Sequence, residues 1–212
     1  MTTYGFWLPN DPRGSWSTYV GSTALRCFAG QATKIHTTQS VANQIHNKRF
    51  RVAAKSCLRY PEVKFTGEQA RAVAGGFQTV AQASNYPILA LAVMPTHVHA
   101  VIGSTHREPA QVIGHLKRGA TDRLIDDDLH PYRSNRKVTH SCWAKQAWKV
   151  FIDTESHLER AIDYVESNPL KDGMAKQRWS FVLRQREVWF TTNRQQTAAR
   201  QAGRLTGHGL RL

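Results

Sequence analysis

Two short stretches of the chain concentrate side chains that could do chemistry. The first is His97-Val98-His99. On a strand, residues i and i+2 share a face, so both imidazoles project together while Val98, Ala100 and Ile102 point to the other side. Two neutral imidazoles side by side make two-thirds of an open metal site. A pair of hydrogen-bonded surface histidines is the alternative. Their apolar neighbours mark a core strand, however, on which two polar rings are costlier to explain away. A metallohydrolase would extend the pattern with a nearby Asp and His, but positions 100–102 are Ala, Val and Ile, which speaks against that class.

The second stretch holds Tyr164 and Asn168. With about 100° per residue and Leu158 set at zero, Ala161, Ile162 and Val165 cluster into a buried stripe. Tyr164 and Asn168 fall together on one shoulder of that stripe, with His157 two turns below the tyrosine. Glu159, Asp163 and Glu166 fall on the other side, so a phosphate could approach the tyrosine without meeting an acid. A half-buried tyrosine followed by a C-capping asparagine is the alternative reading.

The elements that would carry these residues follow from periodicity. Residues 2–8 read as a short aromatic strand, ended by Pro9, Asn10, Asp11, Pro12 and Gly14. Residues 15–65 are polar and basic, with weak helical patches at Ala32–Ile45 and Phe50–Leu58. Residues 67–83 have helical spacing, weakened by Gly75-Gly76. The run from Pro87 to Met94 and the run from His97 to Ser104, joined at Pro95-Thr96, predict an antiparallel hairpin. A helix follows from Pro109 to Ile125, then a basic loop and a strand-like stretch at Cys142–Ile152. A last helix starts at Thr154 and is expected to end soon after Ser167, before Pro169. Strand–helix–strand–strand–helix–strand is the ferredoxin-like split βαβ pattern. The predicted fold class is therefore α+β, with an antiparallel sheet, an added C-terminal tyrosine-bearing helix and basic extensions. Residues 1–179 read as one domain, with 15–65 as a basic, partly helical insertion, and 180–212 as a basic tail.

Composition narrows the classes of partner. The 212 residues carry 29 Lys and Arg against 15 Asp and Glu, a net charge of +14. The surplus is uneven: 1–65 and 174–212 each carry +7, and 66–173 is neutral. A polyanion is the expected partner, and nucleic acid leads that list. Three scattered cysteines, Cys27, Cys57 and Cys142, argue against a disulfide framework or a zinc knuckle and fit a reducing cytosol. No apolar run approaches the ~18 residues of a membrane span, and the N-terminus lacks the pattern of a signal peptide. A cytoplasmic, nucleoid-associated protein without a membrane partner is expected.

Met94-Pro95-Thr96-His97-Val98-His99 resembles the His-hydrophobic-His (HUH) motif of single-tyrosine transposases. The stretch from Tyr164 to Gly173 (YVESNPLKDG) resembles the tyrosine helix of their relatives associated with repetitive extragenic palindromes, within the IS200-like transposase superfamily. Tyr4-Gly5-x-Trp7-Leu8-Pro9 and Asp11-Pro12-Arg13-Gly14 also look like that group, and the likeness runs from about Thr2 to Trp179. The resemblance implies a ferredoxin-like domain, divalent-metal-dependent cleavage and rejoining of single-stranded DNA near hairpin-forming repeats, and a homodimer. It makes Tyr164 the nucleophile, His97 and His99 metal ligands, and Asn168 the third ligand. The chain is longer at 15–65 and past Trp179 than the compact members.

Such chemistry is coherent. A phenol with a pKa near ~10 is a poor nucleophile at neutral pH, and a hard divalent ion would polarise the scissile phosphate. Mg²⁺ or Mn²⁺ suits a site that must also accept phosphate oxygens better than Zn²⁺ does. Lys117, Arg118, Lys145, Lys149 and Lys171 are candidates to hold DNA phosphates, and Trp143, Trp148, Trp179 and Trp189 to stack bases. The competing class is a non-catalytic nucleic-acid-binding protein with a ferredoxin-like, RRM-like sheet. Such sheets expose aromatics where this chain has His97 and His99. A metal-dependent phosphodiesterase, a third reading, would leave no protein–DNA adduct.

Overall fold

The structure, a computed structural model, describes residues 1–37, 41–134, 137–138, 140–145 and 147–183. The basic tail predicted for 180–212 lies outside the described residues from position 184 onward, and Trp189 with it. The described elements are α1 (Thr23–Ala29), α2 (Lys48–Lys55), α3 (Gly67–Ser84), β1 (Ile88–Val93), β2 (Val98–Ile102), α4 (Pro109–Asp126), β3 (Arg133–Ser134), β4 (Lys137–Val138) and α5 (Glu155–Lys171). The fold is α+β, with antiparallel pairing in both ribbons. The chain divides into two compact units. One holds Met1–Ala72, Met94–His97 and Thr121–Trp148; the other holds Val73–Val93, Val98–Ala120 and the chain from Lys149 on.

The second unit is built on the predicted hairpin. All six residues of β1 are buried, as a short apolar run without alternation requires. It pairs with β2 through Val93↔Val98 and Ala92↔His99, and the register shifts between Ile88 and Ala90. A shift of this kind re-aims side chains, and on β2 it is Val101 rather than Ala100 that is buried. Helices α3 and α4 each cross from one unit to the other. Within the second unit they meet at Gly76 and Gly119. A Cβ on Gly76 would lie 2.4 Å from the Gly119 carbonyl oxygen, and one on Gly119 would lie 2.3 Å from Val80 Cγ2. The glycine that weakens the helix signal in the sequence is thus the one that lets two backbones approach.

Helix α5 starts where predicted, with the Thr154 hydroxyl accepting from the His157 N–H at 3.2 Å. Its buried stripe is Leu158, Ile162 and Val165, packed against β1 and β2. Each such side chain contributes roughly 1.5–3 kcal/mol of burial. The helix does not stop before Pro169, as predicted, but runs through it to Lys171. The reason lies at its end. Gly173 takes φ 72°, its N–H donates to the Leu170 carbonyl, and the Met174 N–H donates to the Pro169 carbonyl. This is the Schellman arrangement, which satisfies the terminal carbonyls without any contribution from Asn168. Beyond it, Gln177 uses its carboxamide as a short strand, accepting from the Val93 N–H and donating to the Val93 carbonyl, both at 2.8 Å. The Leu183 N–H donates to the Ile88 carbonyl, so the edge of β1 is covered.

In the first unit the outer strands predicted at 2–8 and Cys142–Ile152 are reduced to single bridges. Thr2 bridges His97 and Thr3 bridges Trp143, both antiparallel. Gly5 explains the short N-terminal pairing: its φ of 76° turns the chain out of the extended region two residues later. The other segment carries its pairing one residue past Trp143, where the Ala144 N–H donates to the Thr2 carbonyl at 3.0 Å, and Trp148 is 47% exposed. The Thr3 hydroxyl lies within hydrogen-bonding distance of the Val63 and Thr96 carbonyls, at 2.8 and 2.9 Å, and anchors the segment. The core of this region joins Leu8, Val20, Leu25 of α1 and Ala54 of α2. Asp11 and Arg13 form a buried, two-pronged ion pair at 2.8 Å for each prong, and the Arg13 guanidinium sits 3.8 Å over the Trp7 ring. Breaking such a pair strands a buried charge, so the loop it holds is rigidly placed.

Candidate active site

In the second unit, the hairpin and α5 bring His99 and Tyr164 together. Their ring centroids are 5.4 Å apart and their planes meet at 89°. His99 is held in register opposite Ala92. Tyr164 stands on the shoulder of the buried stripe and is 51% exposed, so its phenol is open to a substrate. Lys171, two turns further along α5, places its Nζ 4.9 Å over the Tyr164 ring. Asn168, one turn beyond Tyr164, is buried at 8% exposure, and its Nδ2 has no partner among the described residues. It is therefore not the C-cap of α5, whose carbonyls are satisfied by Gly173 and Met174. The unpartnered atom is an N–H donor, which suits an acceptor on a ligand such as a phosphate oxygen and does not itself coordinate a cation.

His97 belongs to the first unit and ends the hairpin turn, where the Met94 N–H donates to its carbonyl at 2.8 Å. Its ring stacks on Phe6 at 5.6 Å with planes 19° apart, and the Thr96 hydroxyl lies 3.2 Å from its Nδ1. A ring clamped on one face and at one nitrogen is oriented before any ligand arrives. Phe6 and Thr96 were not singled out by the sequence, although the aromatic run Tyr4–Trp7 was a signal. Among the described residues no group of three or more His, Cys, Asp or Glu is placed to hold a metal ion. The two imidazoles and one amide that the resemblance implies as ligands belong to both units, His97 to the first and His99 and Asn168 to the second, and all three are neutral donors.

The remaining predicted cations are spread out. Lys117 and Arg118 lie on α4, the first half-buried and the second exposed, and Lys145 and Lys149 are exposed on the segment before α5. Lys171 is the predicted cation that lies on the tyrosine. His157 stands 3.4 Å from Asp153 on the first turn of α5. Two other tyrosines are poor rivals to Tyr164 as nucleophiles: burial pushes the phenols of Tyr4 and Tyr132 upward, and the Tyr132 hydroxyl donates to the Pro61 carbonyl.

Among the described residues no helix is long and apolar enough to cross a membrane. No curated protein and no solved structure matches the chain. The family described as Transposase IS200 like matches residues 35–168, a span that holds both histidines, Tyr164 and Asn168 and covers more than half of the chain. The protein belongs to the IS200-like transposase family.

Proposed function

We propose that this transposase cleaves and rejoins single-stranded DNA beside hairpin-forming repeats, as a homodimer. Tyr164 would be the nucleophile, and His97, His99 and Asn168 the ligands of Mg²⁺ or Mn²⁺. The observation that carries this reading is the meeting of His99 and Tyr164 in a family of DNA transposases, with the buried amide of Asn168 one turn away. A divalent ion bound there would supply Lewis-acid polarisation of the scissile phosphate.

The residues of the chain account for the rest. Tyr164 Oη forms a bond to phosphorus, and the bond from phosphorus to the 3′-oxygen breaks. The phenol proton is given up to solvent, and the departing 3′-oxygen takes one. The products are a 5′-phosphotyrosine and a free 3′-hydroxyl. One phosphodiester replaces another, so the bond energy is kept and the same step run backwards rejoins the strand. Lys171, whose Nζ lies over the ring, would hold a phosphate oxygen beside the tyrosine.

Incubation of the protein with a hairpin-bearing single strand and Mn²⁺ tests the reading. A denaturing gel should show a cleaved strand with a free 3′-hydroxyl and a 5′ end bound to protein, and EDTA should prevent both. Cleavage that leaves two free ends would indicate a phosphodiesterase instead.

A further inference from the structure

Aromatic rings in the first unit form a continuous track that ends at His97. Phe6 stacks on His97, Trp7 lies 6.1 Å from Phe6, Trp16 lies 6.2 Å from Trp7, and Trp148 lies 4.4 Å from Trp16. Phe6, Trp7 and Trp16 are half-buried, while Trp148 at the far end is 47% exposed. The indole N–H of Trp7 donates to the Gly14 carbonyl at 2.8 Å, and that of Trp16 to the Thr37 carbonyl at 3.0 Å. Those two donors are spent on the backbone, so the rings offer only their π-surfaces to a partner. Cations flank the track. Arg13, paired with Asp11, covers one face of Trp7; Lys55, paired with Glu62, has its Nζ 5.7 Å from the Phe6 ring; and exposed Lys34 is placed beside Ser15 by a backbone bridge. The surrounding segment, residues 1–65, has the net charge of +7.

We propose that Phe6, Trp7, Trp16 and Trp148 are a base-stacking track along which single-stranded DNA is led to His97. Unpaired bases present π-faces that a duplex hides, and a ring without a spare donor accepts any of the four. The positive flank attracts the backbone without reading its sequence. The net charge of +7 on residues 1–65 favours a polyanion over a polypeptide partner. The inference rests on the cleavage reading for its destination, because His97 is there a metal ligand.

The test is binding of a fluorescent single-stranded oligonucleotide in EDTA, where no cleavage occurs. Trp148→Ala should weaken binding roughly 5- to 150-fold, the loss of one base–aromatic stack, and Trp148→Phe should restore most of it. An oligonucleotide with an abasic site at the stacked position should bind wild type weakly and Trp148→Ala no worse. A duplex should compete poorly. Equal affinity of wild type and Trp148→Ala for the intact single strand, or equal competition by duplex, would overturn the track. These outcomes separate from those of the cleavage reading. Wild type that cleaves while Trp148→Ala binds normally refutes the track alone. Wild type that never forms an adduct, with binding lost in Trp148→Ala, refutes the cleavage reading alone.

Discussion

The rings of His99 and Tyr164 meet at a right angle, 5.4 Å apart, across the seam between β2 and α5. Each is fixed by its own element: His99 by the hairpin register opposite Ala92, and Tyr164 by the stripe Leu158, Ile162 and Val165. The tyrosine and the imidazole proposed as nucleophile and metal ligand therefore need no loop closure to be brought together.

The first prediction concerns the metal. His99→Ala should reduce Mn²⁺ binding at least tenfold, measured by titration calorimetry, with little change in affinity for a single strand in EDTA. In wild type, Mn²⁺ affinity should fall as pH drops through about 6, where unperturbed imidazoles protonate and cease to coordinate. Mn²⁺ affinity unchanged by the substitution would remove His99 from the ligand set.

Backbone approach between α3 and α4 gives a second. Gly76→Ala would push a Cβ to 2.4 Å from the Gly119 carbonyl oxygen and should cost about 1–3 kcal/mol. Gly114→Ala, on α4 with nothing within 4 Å of the added carbon, should instead stabilise by about 0.4–1 kcal/mol. Thermal unfolding of the two variants should move Tm in opposite directions.

Buried His130 gives a pH dependence of stability. The ring is 4% exposed, and its Nδ1 accepts from the Tyr132 N–H. Burial, with the charge of Arg133 added, holds it below the usual histidine value. The unfolded chain then binds the proton more readily. The stability His130 supplies is fully present above about pH 6.5 and is lost as pH falls from there through the depressed folded value. Urea unfolding from pH 7.5 to 5 should show this loss in wild type. His130→Asn, which keeps an acceptor for the Tyr132 N–H, should show a shallower slope.

Charge in the tail gives a fourth. Residues 184–212 contain six arginines and one acidic residue, Glu187. Removing them should flatten the dependence of log K on log salt, by about 0.7 for each single-strand phosphate that the tail had neutralised. The chain through Leu183 should be kept, because Gln177 and Leu183 bond to β1. An unchanged slope would exclude the tail from DNA binding.

Much of the site was legible in the sequence because its signals are local. The β-branched run between Pro87 and Pro95 could only be a buried hairpin, and the wheel around Leu158 placed Tyr164 on its exposed shoulder. Non-local causes hid the rest. Helix α1 is seven residues long, bracketed by the Ser22 cap and by Gly30 at φ 77°, and it exists because Leu25 packs with Leu8, Val20 and Ala54 from three other segments. A window of sequence contains none of those partners. The end of α5 was misplaced because Pro169 was weighed as a breaker, while the residue that stops the helix is Gly173. The outer strands look like strands in composition, but Gly5 turns one of them away after Thr3.

The central claim is that Tyr164 becomes covalently joined to the 5′ end of the cleaved strand. The most direct measurement is mass spectrometry of the SDS-resistant adduct formed with a hairpin-bearing single strand and Mn²⁺, in wild type and in Tyr164→Phe. The substitution removes one oxygen from a half-exposed ring, so folding and single-strand affinity should be unchanged. Wild type should yield a nucleotide-modified peptide containing Tyr164, and Tyr164→Phe should yield no adduct. An adduct that persists in the variant, or one that maps to Tyr4 or Tyr132, would contradict the assignment.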